Sequence, residues 1–235
     1  MGMLNVCCFL WQGDRWDADD TQLDGPIYVR RLARAVRRNL DLPHRFVVFT
    51  GPGVSFGVPG LMKYVEFREL SPPSWMGCLP KLWAFSRRSG FEEGDQVLSL
   101  DIDLVITGSL NDIGGYDGPF CVRSKFAPGQ GYKADGDIVG FRVTSDIREQ
   151  IWAPLLGAPR AAERETGGRE RWWFRKKQAC EDRWQDLFPG QVISYKRHVR
   201  TNRNELPANA RIVSCHGRPR PHELEGLQWV RNNWR

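Results

Sequence analysis

The feature that most constrains the fold is an apolar run that two carboxylates interrupt. Residues 97–100 are predicted to form a buried strand, Asp101 and Asp103 follow it with one residue between them, and residues 104–106 are apolar again. Two carboxylates this close to a hydrophobic core need a countercharge, because burying an unpaired charge costs much free energy. A divalent cation such as Mg²⁺ or Mn²⁺ suits them, since it prefers hard oxygen ligands and can bridge to phosphate. The alternative is that one aspartate caps the next turn while the other is solvated.

The rest of the pattern predicts an α/β fold around this strand. Residues 5–10 indicate a buried strand, residues 27–40 an amphipathic helix with arginines on its outer side, and residues 46–49 a second strand. In open α/β sheets ligands bind at the carboxyl ends of the strands, which is where Asp101 and Asp103 are expected. Residues 158–171 are the most linker-like stretch and are expected to form a surface loop. Residues 223–234 are expected to form a terminal amphipathic helix.

The composition predicts one globular domain. The chain has 235 residues, of which 41% are hydrophobic, enough for one core and too few for two ordinary domains. We therefore expect a single domain over residues 1–235. Ten Trp, twelve Phe and five Tyr exclude a disordered chain, and no apolar run is long enough to span a membrane. The six cysteines form no Cys-x-x-Cys pair and the N-terminus has no signal-peptide pattern, which predicts a cytoplasmic protein whose basic side can approach a membrane.

A second group of candidate residues follows a predicted strand at residues 212–214. It comprises His216, Gly217, Arg218 and Arg220, with prolines at positions 219 and 221. Imidazole can complete a metal site, glycine lets the backbone approach a ligand closely, and guanidinium groups match phosphate. The net charge of +6 is consistent with an anionic partner but does not distinguish nucleic acid, membrane and nucleotide diphosphate. The alternative for this group is a proline-stiffened surface turn with exposed arginines.

Taken together, these segments resemble the GT-A glycosyltransferases of the glycogenin-like and lipopolysaccharide type. Residues 81–85, Lys-Leu-Trp-Ala-Phe, precede the Asp-x-Asp strand as in that family, and residues 216–221 resemble its closing His…Gly-x-x-Lys-Pro-Trp motif. The resemblance covers most of the chain, from Leu4 to Pro221, and is closest over the Asp-x-Asp segment. It implies a single-domain GT-A fold, which is a Rossmann-like mixed sheet flanked by helices.

The resemblance also implies which residues bind a nucleotide-sugar donor and its metal. The implied ligands of Mn²⁺ or Mg²⁺ are Asp101, Asp103 and His216. The implied donor-binding residues are Trp11 and Asp14 at the base, Asp101 at the ribose, and Lys81, Gly217, Arg218 and Arg220 at the phosphates. His216 and Gly217 are adjacent here, whereas the family separates them, so Ser214 is the alternative metal ligand. For Trp11 the alternative is packing over the edge of the sheet.

Three further aspartates are implied at the reacting sugars. Asp135 and Asp137 lie on a predicted strand that resembles the family's sugar-lining strand, and they would hydrogen-bond hydroxyls of the donor sugar. Asp182, next to Glu181, would match an acidic pair near the acceptor. The alternatives are solvated turn carboxylates for the first two and helix capping for Asp182.

The resemblance implies a metal-dependent, retaining transfer of sugar from a UDP-sugar to a glycan, lipid or small-molecule acceptor. One alternative is a haloacid-dehalogenase-like phosphatase, because Asp-Ile-Asp-Leu-Val fits its motif with Asp101 as nucleophile and Asp103 as general acid. That family normally carries this motif on its first strand. Another alternative is a nucleic-acid-binding protein, since residues 169–177 alternate cations with aromatic residues. We expect no nucleic-acid partner.

Overall fold

The computed structural model describes residues 2–11, 25–54, 63–126, 134–177 and 182–235. Its ten strands are β1 (Leu4–Leu10), β2 (His44–Thr50), β3 (Val65–Glu69), β4 (Gln96–Leu100), β5 (Leu104–Ile106), β6 (Phe120–Ser124), β7 (Ala134–Arg142), β8 (Asp182–Arg183), β9 (Val192–Ser194) and β10 (Ile212–Ser214). Its α-helices are α1 (Gly25–Asn39), α2 (Asn111–Gly114), α3 (Ser145–Ile147), α4 (Ala153–Gly157), α5 (Pro159–Thr166), α6 (Glu170–Lys177), α7 (Trp184–Leu187) and α8 (Gln228–Asn233). Shorter 3-10 turns and two π-helical turns, Arg148–Trp152 and Tyr195–Val199, connect them. Within these ranges every helix is too short or too polar to span a membrane.

The main sheet has seven strands in the order β3-β2-β1-β4-β7-β6-β8. Strands β3, β2, β1 and β4 are parallel, and β7 runs antiparallel to both β4 and β6. Strands β2 and β3 follow β1 on one side of it, whereas β4 pairs with β1 on its other side. This reversal of strand order is a topological switch point, where the carboxyl ends of β1 and β4 open a crevice for ligands. The switch point therefore places Trp11 and Asp101 at one crevice.

Both faces of this sheet are covered, which explains the uninterrupted apolar pattern of its first strand. All seven residues of β1 are buried. Val6 and Cys8 pack in the cluster that includes the inner face of α1, whereas Cys7 and Phe9 pack in the cluster of the other face, with the turn at Leu79–Phe85. Parallel strands covered on both faces are typically apolar throughout rather than alternating.

A second sheet of three strands, ordered β5-β10-β9, brings the two sequence motifs together. Strand β5 directly follows Asp103, and β10 directly precedes the turn of His216. The two strands are antiparallel, with Leu104 opposite Ser214. Residues more than a hundred positions apart in the sequence thus become neighbours through backbone register alone.

Two segments differ from the sequence prediction. Residues 158–171, expected as a surface loop, form α5 and the start of α6. Alanine, glutamate and arginine favour a helix there, Pro159 occupies its first turn, and Gly167 ends it in the left-handed conformation with φ of 57°. The expected terminal helix over residues 223–234 is instead a 3-10 turn, Pro221–Leu224, followed by the short helix α8.

Candidate active site

A cavity with a volume of about 500 Å³ opens at the carboxyl ends of β1 and β4. This volume is within the usual range for small-molecule sites. Nine of the predicted site residues line it: Trp11, Lys81, Asp101, Asp103, Asp135, Asp137, His216, Gly217 and Arg220. Phe9, Tyr28, Leu100 and Ile102 add apolar surface to the same lining. The cavity thus combines an apolar part with a densely charged part.

Asp101 is held by a lysine that a second carboxylate shares. Lys81 Nζ forms an ion pair with Asp101 Oδ1 and lies 3.2 Å from Glu170 Oε1. The Asp101 amide also donates to the carbonyl of Asp137 at 2.8 Å, which fixes the turn that follows β4. Burial raises the pKa of Asp101 to about 7, against the attraction of Lys81 and with added repulsion from Asp103 and Glu170. Lys81 alone therefore does not compensate the negative charge at this turn.

Asp103 is paired with an arginine from the closing motif. Arg220 Nη1 contacts Asp103 Oδ2, and both side chains are partly buried. Burial raises the pKa of Asp103 although Arg220 opposes the shift. The Asp-x-Asp turn and the closing turn, residues 216–221, are therefore joined by an ion pair as well as by strand register.

A buried arginine organises the aspartates of β7. Arg123 is only 1% exposed, and its Nε donates to the two carboxylate oxygens of Asp137 at 2.6 and 2.8 Å. Its Nη2 lies 2.9 Å from Asp135 Oδ2. Ser214 Oγ also donates to Asp137 at 2.6 Å. Burial alone would raise the pKa of Asp137, but Arg123 and Ser214 outweigh it and the net shift is downward.

Because Arg123 and Ser214 bind its oxygens, Asp137 is not the solvated turn carboxylate of the alternative prediction. Its partner Arg123 was not predicted from the sequence. The available signal was a lone arginine inside the apolar strand β6, at a position where the pairing with β7 shifts register between Val122 and Arg123.

The closing turn presents a histidine and a glycine to the cavity. His216 is exposed, and its Nδ1 lies 3.3 Å from Ser214 Oγ. Gly217 has a φ of 68°, and a Cβ placed there would lie 3.4 Å from Lys196 Nζ. Only glycine adopts this backbone conformation without strain. Lys196 thus lies beside the bare backbone of Gly217 and is a further cation of the cavity.

The predicted metal ligands do not form a ready-made three-residue site. Among the described residues no group of three or more His, Cys, Asp and Glu side chains lies close enough to hold a metal ion. The carboxylates of Asp101 and Asp103 instead contact Lys81 and Arg220. Magnesium at nucleotide sites is commonly held by one or two carboxylates together with substrate phosphates. Two aspartates whose pKa values are raised by burial and mutual repulsion fit that arrangement.

Two predicted residues that the structure describes are not part of the lining. Arg218 pairs with Glu223 at 2.9 Å on the exposed side of the closing turn. Asp182 begins β8 and accepts a hydrogen bond from the Tyr116 hydroxyl at 2.8 Å. Asp14 lies outside the described residues, as does Glu181.

Four further charged lining residues were not among the predicted site residues. They are Arg169, Glu170, Arg171 and Lys196. The first three flank the start of α6, within and next to the stretch expected as a loop. The helix-forming composition after Pro159 was the signal that could have shown that this segment packs against the sheet.

Comparison with known proteins supports the fold. No protein-family model matches the chain, and no curated protein matches its sequence. Among solved structures, the chain is similar to a crystal structure of the galactosyltransferase LgtC in complex with donor and acceptor sugar analogues. The match covers 92% of this chain and 88% of that chain, with a TM-score of 0.52 and 12% identity. The chain has the GT-A fold. The predicted mixed sheet flanked by helices is thereby confirmed, with the Asp-x-Asp turn at the end of its β4.

Proposed function

We propose that this protein is a metal-dependent glycosyltransferase that moves a sugar from a UDP-sugar to a glycan, lipid or small-molecule acceptor. We further propose that residues 1–235 form one catalytic domain. The observation that carries the proposal is the convergence of the Asp-x-Asp turn with Arg220, Gly217 and Lys81 in one cavity at the switch point of a GT-A sheet. The match to a galactosyltransferase structure supports the same activity.

The lining suggests how the donor is oriented. Trp11, Phe9 and Tyr28 provide an apolar part that suits a nucleotide base, since aromatic side chains stack on planar rings. Lys196 and Arg220, beside Gly217, provide cations that match a diphosphate. Together these groups would direct the sugar toward Lys81 and strand β7.

The aspartates and cations of the turn would neutralise the leaving group. Asp101 and Asp103 would hold Mn²⁺ or Mg²⁺, and His216 is the better third candidate because it lines the cavity, whereas Ser214 is buried and is not part of the lining. When bound, the cation supplies Lewis-acid stabilisation to the departing diphosphate. Arg220 and Lys81 would exchange part of their contact with the aspartates for contact with phosphate oxygens.

We propose that the transfer retains configuration at the anomeric carbon. The bond between that carbon and the diphosphate oxygen breaks, a bond to the acceptor hydroxyl oxygen forms, and the hydroxyl proton passes to the departing diphosphate. Such a reaction requires no protein base. The role of the chain is then to position the reactants and to stabilise charge, which contributes strongly to catalysis in such sites.

The fold argues against the two rival activities. The Asp-x-Asp turn follows β4, inside the sheet, whereas the phosphatase motif belongs on a first strand. In the basic-aromatic segment, Trp173 and Phe174 are buried in the core, and Arg169 and Arg171 face the cavity. This segment therefore does not present a row of exposed aromatic residues to a nucleic acid.

A hydrolysis screen tests the proposal. Incubation with UDP- and GDP-sugars and Mn²⁺ should release the nucleotide slowly from one UDP-sugar, and EDTA should suppress the release. Asp101→Asn should abolish it, whereas Asp186→Asn should not, because Asp186 forms only an exposed ion pair with Arg183. Phosphate release from simple phosphomonoesters without any nucleotide-sugar would overturn the proposal in favour of the phosphatase.

A further inference from the structure

The cations of the cavity divide into two groups by their partners. Lys81, Arg123 and Arg220 each contact at least one carboxylate at ion-pair distance, as described above. Arg169 and Lys196 do not share this arrangement, whereas Arg171 forms one long ion pair. Within the described ranges the side chains of Arg169 and Lys196 form no ion pair or hydrogen bond. Arg171 approaches Asp135 Oδ1 only to 3.9 Å, and its buried Nε has no hydrogen-bond partner there.

The donors with few or no partners in the chain are available to a ligand. Among the described residues of the lining, six are Lys or Arg and five are Asp or Glu. Lys196 lies beside Gly217, next to the cations assigned to the diphosphate. Arg169 and Arg171 are therefore the donors left for a further anionic group.

The position of these two arginines separates them from the diphosphate cations. They flank Glu170, which contacts Lys81, and Arg171 faces Asp135 on β7. Their segment is fixed to the turn at Cys78, another part of the cavity wall, because the Cys78 amide donates to the Gly168 carbonyl at 2.6 Å. The arginines are thus held beside Lys81 and β7, toward which the proposed donor orientation directs the sugar.

Two exposed apolar side chains adjoin the same segment, Met76 by contact and Trp172 in sequence, and Trp75 precedes Met76. Trp75, Met76 and Trp172 are 39%, 41% and 44% exposed. They account for three of the six large hydrophobic residues that are exposed in the described part of the chain. A Cβ on Gly168 would lie 2.8 Å from Met76 Cγ, so Met76 packs directly on the turn that carries Arg169. Clustered exposed apolar residues commonly mark a ligand-binding surface.

We propose that Arg169 and Arg171 bind an anionic group, a carboxylate or a phosphate, on the acceptor, while Trp75, Met76 and Trp172 contact its rings or apolar parts. This inference rests on the proposed transferase activity and names the class of its acceptor. Guanidinium groups bind both anions through paired N–H donors. The acceptor hydroxyl would then enter the cavity beside Lys81 and Glu170.

A matched series of probes tests the proposal on the full chain. The probes are phenyl β-glucoside, its 6-phosphate and phenyl β-glucuronide, each titrated with ligand-observed NMR in the presence of UDP and Mn²⁺. The two anionic probes should bind about tenfold more tightly than the neutral one, the size expected for charge-assisted hydrogen bonds. Arg169→Gln and Arg171→Gln should each reduce this preference, and the double variant should abolish it. Arg164→Gln, an exposed change on α5 outside the cavity, should preserve it.

The outcomes distinguish this inference from the proposed function. UDP binding with no preference for the anionic probes, or a preference that survives the double variant, overturns the inference alone. The inference is also overturned if the arginines recognise the donor sugar instead of the acceptor. In that case UDP-glucuronate would bind more tightly than UDP-glucose in a way that depends on Arg171, while the three probes would bind equally. Absence of UDP binding in wild type overturns the transferase and the inference together. Thermal melting of each variant confirms that it is folded.

Discussion

Burial raises the pKa of both aspartates of the Asp-x-Asp turn, whereas the pKa of Asp137 in the same cavity is lowered. In the Asp-x-Asp turn, the pKa values of Asp101 and Asp103 are raised because Lys81 and Arg220 do not offset their burial. In the Arg123 cluster, formed by Arg123, Asp135 and Asp137, the pKa of Asp137 is lowered because Arg123 and Ser214 more than offset its burial. The difference teaches that the Arg123 cluster completes its charge balance within the chain and stabilises the fold. The Asp-x-Asp turn lacks positive charge, as we expect of a site that binds a cation together with its substrate.

The largest expected effect comes from breaking the Arg123 cluster. Arg123→Met leaves Asp135 and Asp137 near the core without their partner, which should cost about 3–5 kcal/mol of unfolding free energy. Urea denaturation measures it. The control Lys176→Met removes an exposed ion pair with Glu165 and should leave the unfolding free energy nearly unchanged. Equal losses in the two variants would contradict the structural role of the cluster.

A smaller effect is expected where the cluster meets α6. A Cβ on Gly136, between Asp135 and Asp137, would lie 2.6 Å from Cγ and Oε1 of Glu170. Gly136→Ala should therefore displace Glu170 from Lys81 and cost about 1–3 kcal/mol of stability. Gly157→Ala is the matched control, since a Cβ there meets no atom within 4 Å, and its effect should stay within about 0.5 kcal/mol. Comparable losses for both alanines would show that Glu170 is not packed as described.

A third expected effect is a pH dependence of stability at the Asp-x-Asp turn. The pKa of Asp101 is raised from 3.8 to about 7, mainly by burial. Between these values the native protein keeps a proton that the unfolded chain has lost, so this group makes wild type less stable as pH rises. Asp101→Asn has no such proton to lose. The Tm of Asp101→Asn minus that of wild type should therefore increase from pH about 4 to about 7 and level off above. A Tm difference that stays constant with pH would contradict the raised pKa of Asp101.

The same contrast explains what the sequence could predict. Asp101, Asp103, His216 and Arg220 belong to short contiguous motifs, and each motif follows a predictable apolar strand. Strand register then brings the motifs together. The GT-A fold itself was implied by the resemblance of these motifs to a known family. These local patterns were sufficient to predict the sheet and about half of the cavity lining.

The other half depends on contacts that no local pattern encodes. Arg123 reaches Asp137 only because the pairing of β6 with β7 shifts register beside it. Glu170 enters the cavity only because Gly136 leaves room for it. Arg169 and Arg171 were noticed as part of a basic-aromatic segment, yet their place at the cavity depends on the packing of Trp173 and Phe174 into the core. Such contacts follow from tertiary packing, so the sequence alone could not place them.

The most direct test of the proposed function is calorimetric titration of UDP, with and without Mn²⁺, into wild type, Asp103→Asn and the control Asp186→Asn. Wild type and the control should bind UDP tightly only with Mn²⁺. Asp103→Asn should lose more than about 100-fold in affinity, because replacing a metal ligand should reduce affinity at least as much as replacing a residue that supports one. Its Tm should not fall, since the raised pKa of Asp103 means that its charge does not stabilise the fold. An unchanged titration in Asp103→Asn would contradict the assignment of this turn as the metal and donor site.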